Sequence, residues 1–113
     1  MPIKKAKEHY IKRRFNCAQS ILAAFQDEFK IEDREIAEYI KHGGGRAPGG
    51  VCGAFYAAES ILKKHHPDKL DDFRRFILEK AGSLQCDIIR GTRKLSCLGC
   101  IEKAAEYVKS CLK

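Results

Sequence analysis

Apolar residues recur along this chain at helical spacing rather than in strand-like alternation. Between residues 17 and 29, Ile21, Leu22, Phe25 and Phe29 fall at offsets 0, 1, 4 and 8, one stripe of a 3.6-residue period. Asn16 stands just ahead of that stripe and is a good helix N-cap, so the pattern predicts a helix over 17–29 with Cys17 in its first turn. A second helix is expected over about 33–42, opened by Asp33 and carrying Ile36, Ala37 and Ile40. It should stop at Gly43-Gly44-Gly45, since consecutive glycines are poor helix formers and readily adopt the left-handed cap.

The loop 43–50, Gly-Gly-Gly-Arg-Ala-Pro-Gly-Gly, is the strongest break in the chain. A third helix is predicted over 51–66, with Val51, Ala54, Phe55, Ala58, Ile61 and Leu62 on one side and Pro67 closing it. A fourth runs from Asp68 to Lys80 on Leu70, Phe73, Phe76 and Ile77, and Ala81-Gly82-Ser83 ends it. A short helical turn is expected over Cys86-Asp87-Ile88-Ile89, ended by Gly91. The last helix spans about 97–112, capped by Ser96, with Ile101, Ala104, Ala105 and Val108 inward. No segment reads as a strand and no internal repeat is present. The expected fold is an all-α, single-domain bundle of about five helices over residues 1–113, with the glycine-rich loop before the central helix. The first twelve residues read as a basic leading helix, or over 1–7 as a loose N-terminal segment.

Composition narrows the class. At 113 residues there is one modest core, and 44% hydrophobic with 33% charged residues is ordinary for a soluble globular protein. No transmembrane span is visible, and Met1-Pro2-Ile3-Lys4-Lys5 lacks the apolar stretch of a secretory signal. A cytoplasmic, reducing compartment is the expectation. There structural disulfides are rare, and clustered cysteines more often bind metal or do redox chemistry. The net charge of +7 comes from bases scattered in short runs such as Lys12-Arg13-Arg14 and Lys63-Lys64. They form no stripe interleaved with aromatics, so a nucleic-acid interface is not indicated. A homodimer would suit a small bundle, which gains core by pairing.

The six cysteines carry the chemistry. Cys17, Cys52, Cys86, Cys97 and Cys100 each follow a turn and precede an apolar helical run. A thiol in a first helical turn faces unpaired backbone N–H groups and the positive end of the helix dipole, which lowers its pKa. The expectation is that helix starts converge on one sulfur-rich redox or metal site. Cys97-Leu98-Gly99-Cys100 has the C-x-x-C spacing of dithiol oxidoreductases and metal knuckles. Ile101 in place of His excludes c-type haem attachment, and no β–α–β pattern surrounds the pair. Cys17, Cys52, Cys86 and either Cys97 or Cys100 could ligate zinc or an iron–sulfur cluster, or cycle between dithiol and disulfide. Cys97 would then be a substitute for Cys100 or a resolving thiol. Cys111 lies three turns, roughly 16 Å, beyond Cys100 and reads as structural.

Around Cys52 the loop supplies further candidates. Gly45 and Gly50 have P-loop separation, but Val51-Cys52 stands where Lys-Ser/Thr is required. Gly50 and Gly53 would let backbone or a cluster approach closely, and Arg46 is the one charge in the loop, suited to an anionic cluster or thiolate. His42 is the histidine nearest the loop, whereas His65-His66 suits a helix C-terminus. Tyr56 and Glu59, one and two turns past Cys52, read as core or surface residues before proton partners.

Several of these strings also carry a resemblance. Phe15-Asn16-Cys17-Ala18-Gln19-Ser20 is similar to a family opening of the form F-x-C-[SA]-[QE]-[AS]. Cys52-Gly53-Ala54 resembles that family's central C-G-A-x-x-G element, Cys86-Asp87-Ile88-Ile89-Arg90-Gly91 its third cysteine segment, and Cys100 its fourth. The family is the C_GCAxxG_C_C proteins, and the likeness runs from about residue 8 to 112. Ala57 replaces the last glycine of the central element, and Cys97 and Cys111 are additions to the four-cysteine pattern. The resemblance implies redox activity through Cys17, Cys52, Cys86 and Cys100. A related domain in multi-haem cytochromes associates such cysteines with an iron–sulfur centre. The expected function is electron transfer or thiol–disulfide chemistry with an unidentified redox partner. The alternative is a zinc-binding structural or carrier module without catalysis.

Overall fold

The computed structural model describes residues 2–12, 15–42, 47–92 and 94–111. Among them the chain forms eight α-helical segments: α1 (Pro2–Ile11), α2 (Cys17–Ala24), α3 (Gln26–Phe29), α4 (Asp33–Glu38), α5 (Gly53–His65), α6 (Leu70–Ala81), α7 (Cys86–Thr92) and α8 (Cys97–Ser110). Single 3-10 turns occupy Tyr39–His42, Pro48–Gly50 and Pro67–Lys69. The all-α expectation holds among the described residues, where the one β feature is an isolated bridge between Val51 and Gln85. None of these helices is long and apolar enough to cross a membrane.

The expected count of about five helices is corrected to eight, for local reasons. The stripe over 17–29 breaks at Phe25, whose φ of −108° and ψ of 13° leave the α region. Phe29 then stacks on Phe25 at 6.1 Å and on His65 at 4.7 Å, so both phenyl rings are buried. The helix from Asp33 tightens into a 3-10 turn at Tyr39. There Asn16 Nδ2 donates to the Tyr39 and Ile40 carbonyls at 3.2 and 3.0 Å. Gly91 does not end α7, which continues to Thr92. At the N-terminus, the residues left open as a loose segment are helical from Pro2, and Ala6 is fully buried.

The central layer is α5, whose Ala54, Phe55, Ala57, Ala58, Ile61 and Leu62 are buried. α2 and α8 pack on it, α1 lies across both of these, and α6 closes the far side against α5 and α8. Lys7 on α1 pairs with Glu102 on α8 at 3.1 Å. Phe25, Phe55 and Phe73 are wholly buried, each contributing about 1.5–3 kcal/mol of burial energy. Phe55, Phe73 and Tyr107 form a chain of edge contacts across α5, α6 and α8, with centroids 6.4 and 5.2 Å apart. The small stripe of α5 lets the helix starts carrying cysteines come close.

Candidate functional site

Each cysteine of the expected set sits at a helix start. Asn16 caps α2 through a capping box: its Oδ1 accepts from the Gln19 N–H at 2.8 Å, and Gln19 Oε1 accepts from the Asn16 N–H at 3.2 Å. That puts Cys17 at the first helical position. Gly50, at φ 73°, turns the chain so that Cys52 becomes the N-cap of α5. Cys86 opens α7 and Cys97 opens α8, where Ser96 Oγ accepts from the Gly99 N–H at 2.9 Å.

Backbone pairing holds two of these starts together. The Cys52 N–H donates to the Leu84 carbonyl at 2.8 Å, Val51 bridges to Gln85, and Gln85 Nε2 donates to the Gly49 carbonyl at 3.2 Å. The strap 84–86 therefore runs antiparallel to the entrance of α5, with Leu84 opposite Cys52 and Cys86 two residues further along, opposite Gly50. No periodicity in the chain announces this strap, because two loops pairing through one bridge leave none. Gly53 secures the third approach. A methyl group there would come within 2.6 Å of both the Cys17 sulfur and the His42 carbonyl oxygen. The space its missing side chain leaves is occupied by α2.

Three thiols meet at this junction. The Cys52 thiol hydrogen-bonds with Cys100 of α8 and with Cys17 of α2. Cys17, Cys52 and Cys100 are only 8%, 5% and 3% exposed. Cys86 is buried as well, on the strap, while Cys97 is partly exposed. Of the C-x-x-C pair, Cys100 is the one whose thiol reaches Cys52. No disulfide is present among the described residues. Cys111 lies at the opposite end of α8 beside Asp68, Lys69 and Asp72.

The electrostatics correct one expectation. Cys52 sits at a helix start, yet its thiol is pushed up from 9.0 to about 12. The main cause is its hydrogen bond to Cys100, which favours keeping the proton on Cys52; burial adds to the rise, and the bond from Cys17 opposes it. A helix dipole acts on one thiol at a time, whereas here sulfur faces sulfur and the charge cannot be placed on all of them.

Next to the thiols, the His42 ring packs between Tyr39 and Tyr56 at 5.0 and 4.8 Å. Its Nδ1 is buried without a hydrogen-bond partner, and burial, helped by Lys41, lowers its pKa. Tyr39 was not singled out from the sequence; its hydroxyl donates to Ser60 Oγ at 2.8 Å. Glu59 accepts from Arg74 Nε at 2.6 Å, a surface pairing. Arg46 lies outside the described residues, as do Gly43, Gly44 and Gly45. At Gly50 the position of a side chain would be open space. No group of three or more His, Cys, Asp or Glu among the described residues is arranged to hold a metal ion.

A helical domain whose buried thiols converge from separate helix starts is a cysteine-cluster protein. The chain belongs to the family described as "Putative redox-active protein (C_GCAxxG_C_C)", whose model matches residues 15–111. All six cysteines fall in that range. No curated protein and no solved structure matches the chain.

Proposed function

We propose that the protein is a thiol–disulfide redox carrier whose working pair is Cys52 and Cys100. The observation behind this reading is the Cys52 thiol hydrogen-bonded to thiols from two other helices. Sulfurs that share a hydrogen bond are close to the separation from which a disulfide forms. In the oxidative half-reaction the two S–H bonds break and one S–S bond forms. Two protons leave, and two electrons pass to a disulfide of a partner protein, which becomes a dithiol. Cys17 donates to Cys52 and holds it in register, and Cys86 completes the four-cysteine set on the adjoining strap. A reducing compartment such as the cytoplasm would return the pair to the dithiol.

The same donors would in principle suit zinc or an iron–sulfur cluster. The thiols as folded do not make a metal-holding group among the described residues. Diamide oxidation of anaerobically purified protein, followed by peptide mapping with iron and zinc counts on the same sample, tests the reading. The expected result is loss of two of the six thiols, a disulfide containing Cys52, and no stoichiometric metal. Iron or zinc bound at one or more atoms per chain, with the motif thiols protected from diamide, would replace it with a cluster or a zinc module.

A further inference from the structure

The thiols that meet at Cys52 share a difficulty. Thiol–disulfide exchange needs the attacking sulfur to reach its target, and access governs the rate. Cys17, Cys52 and Cys100 are nine-tenths buried or more, so a folded partner cannot bring its own sulfur to any of them. Of the five cysteines at helix starts, Cys97 alone is partly exposed.

We infer that Cys97 is the exchange residue through which a partner protein's dithiol or disulfide communicates with the buried Cys52–Cys100 pair. This rests on the thiol–disulfide reading above. Three facts support it. Cys97 and Cys100 are three residues apart on α8, and residues at that spacing on a helix are neighbours, with Cβ atoms about 5–6 Å apart. The pair also occupies the first turn of α8, where Cys97 is the first helical residue and needs little backbone adjustment to close the remaining gap to disulfide geometry. Between them stands Gly99, which contributes no side chain; a methyl group there would crowd Ser96 Oγ at 3.3 Å and the Leu95 side chain at 3.4 Å. Cys100 is therefore shared: one turn back along the helix lies a solvent-reachable sulfur, and across the helix interface lies Cys52. Cys111, the other partly exposed cysteine, cannot serve, since eleven residues of α8 put it about 16 Å from Cys100.

The relay balances without an added oxidant. The Cys97 thiolate attacks the partner's disulfide, forming a mixed disulfide and releasing one partner thiolate. Cys100 then attacks the Cys97 sulfur, which closes the Cys97–Cys100 disulfide and releases the partner's second thiolate. Finally Cys52, as thiolate, attacks Cys100, so the Cys52–Cys100 bond forms and Cys97 leaves as a thiolate that regains the proton it gave up before its own attack. The partner has gained two electrons and two protons, and the buried pair has lost them. In the reduced protein Cys52 is held protonated chiefly by its hydrogen bond to Cys100. Once Cys100 is tied to Cys97 as a disulfide it is a poorer hydrogen-bond acceptor for Cys52, while the bond from Cys17 still favours the Cys52 thiolate.

The test uses the full chain and two variants. In wild type, diamide-oxidised protein is reduced by thioredoxin as a protein dithiol and, separately, by dithiothreitol. Cys97→Ser should retain the buried disulfide after diamide yet be reduced by thioredoxin at least tenfold more slowly, with a much smaller change for dithiothreitol. Cys52→Ser, which keeps an N-cap residue for α5, should accumulate a Cys97–Cys100 disulfide that peptide mapping identifies. An unchanged thioredoxin rate in Cys97→Ser, or no Cys97–Cys100 link in Cys52→Ser, overturns the relay while the buried pair stands. Absence of any Cys52 disulfide in oxidised wild type is a different result, and it removes the carrier reading and the relay together.

Discussion

The two ends of α8 hold thiols in opposite company. At the first turn, Cys100 meets Cys52 and, through it, Cys17, three sulfurs from three helices with hardly any solvent. At the last turn, Cys111 lies partly exposed among Asp68, Lys69 and Asp72, with Tyr107 one turn back donating to Asp72 Oδ2 at 2.6 Å. Both Cys52 and Cys111 have raised pKa values, for different reasons. Desolvation leads at Cys111, whereas hydrogen bonding to another thiol leads at Cys52. A raised thiol pKa is thus no single signature. At one end it reports sulfur neighbours that can exchange bonds, and at the other chiefly the loss of water around a half-buried sulfur.

The largest perturbation should come from the residue that joins the two ends. Phe73 on α6 touches Phe55 of α5 and Tyr107 of α8 and is fully buried. Phe73→Ala should cost about 3–5 kcal/mol in urea unfolding, with the thiol junction and the Tyr107–Asp72 contact both loosened. A loss under about 1 kcal/mol would mean that the two ends are not braced through this ring. Gly53→Ala should act on one end only. Its methyl group meets the Cys17 sulfur and, less avoidably, the His42 backbone oxygen. The expected cost is about 1–3 kcal/mol, with a lower yield of Cys52 disulfide on diamide treatment and unchanged alkylation of Cys111.

Much of this architecture could be read from single residues. Asn16 and Ser96 cap the helices they were expected to cap, and Gly82, at φ 80°, ends α6. Those signals are local, because a cap satisfies backbone groups within one turn. The breaks at Phe25 and Tyr39 were not legible, since tertiary contacts cause them: ring packing by Phe29 in one case, the Asn16 amide in the other. Gly91 misled in the other direction, a glycine costing a helix only about 1 kcal/mol. The choice between Cys97 and Cys100 was open for a geometric reason. Both belong to the stripe of Ile101, Ala104 and Val108, so helix phase alone turns both inward. What separates them is that α8 runs past the start of α5, which no one-dimensional pattern records.

The pH response should separate the two thiol environments more gently. Cys52 in the folded state holds its proton up to about 12, above the 9.0 of an ordinary thiol. The native protein then binds more protons than the unfolded chain between those values, so stability is full below about pH 9 and falls as pH rises toward 12. Cys52→Ser should flatten that fall, measured by urea midpoints across the range, and a slope unchanged by the substitution would count against the thiol junction. At pH 8, iodoacetamide should label Cys111 well ahead of Cys52, because Cys111 is partly exposed and lacks a sulfur acceptor that holds its proton.

The smallest effect belongs to the far end of α8. Tyr107→Phe deletes the hydroxyl that donates to Asp72 Oδ2. The Asp72 side chain is 61% exposed, so water replaces the lost donor and no buried charge is stranded. The ring, which carries the packing on Phe73 and Phe76, is kept. The expected cost is therefore about 1 kcal/mol. Tyr107 and Cys100 are seven residues apart on α8, about 10 Å along the axis. At that distance, with no shared partner, Tyr107→Phe and Gly53→Ala should add within about 0.5 kcal/mol in the double variant. A coupling above about 1 kcal/mol would mean that α8 transmits strain from its charged end to its thiol end, and that the contrast between the two thiol environments is one property of a single helix.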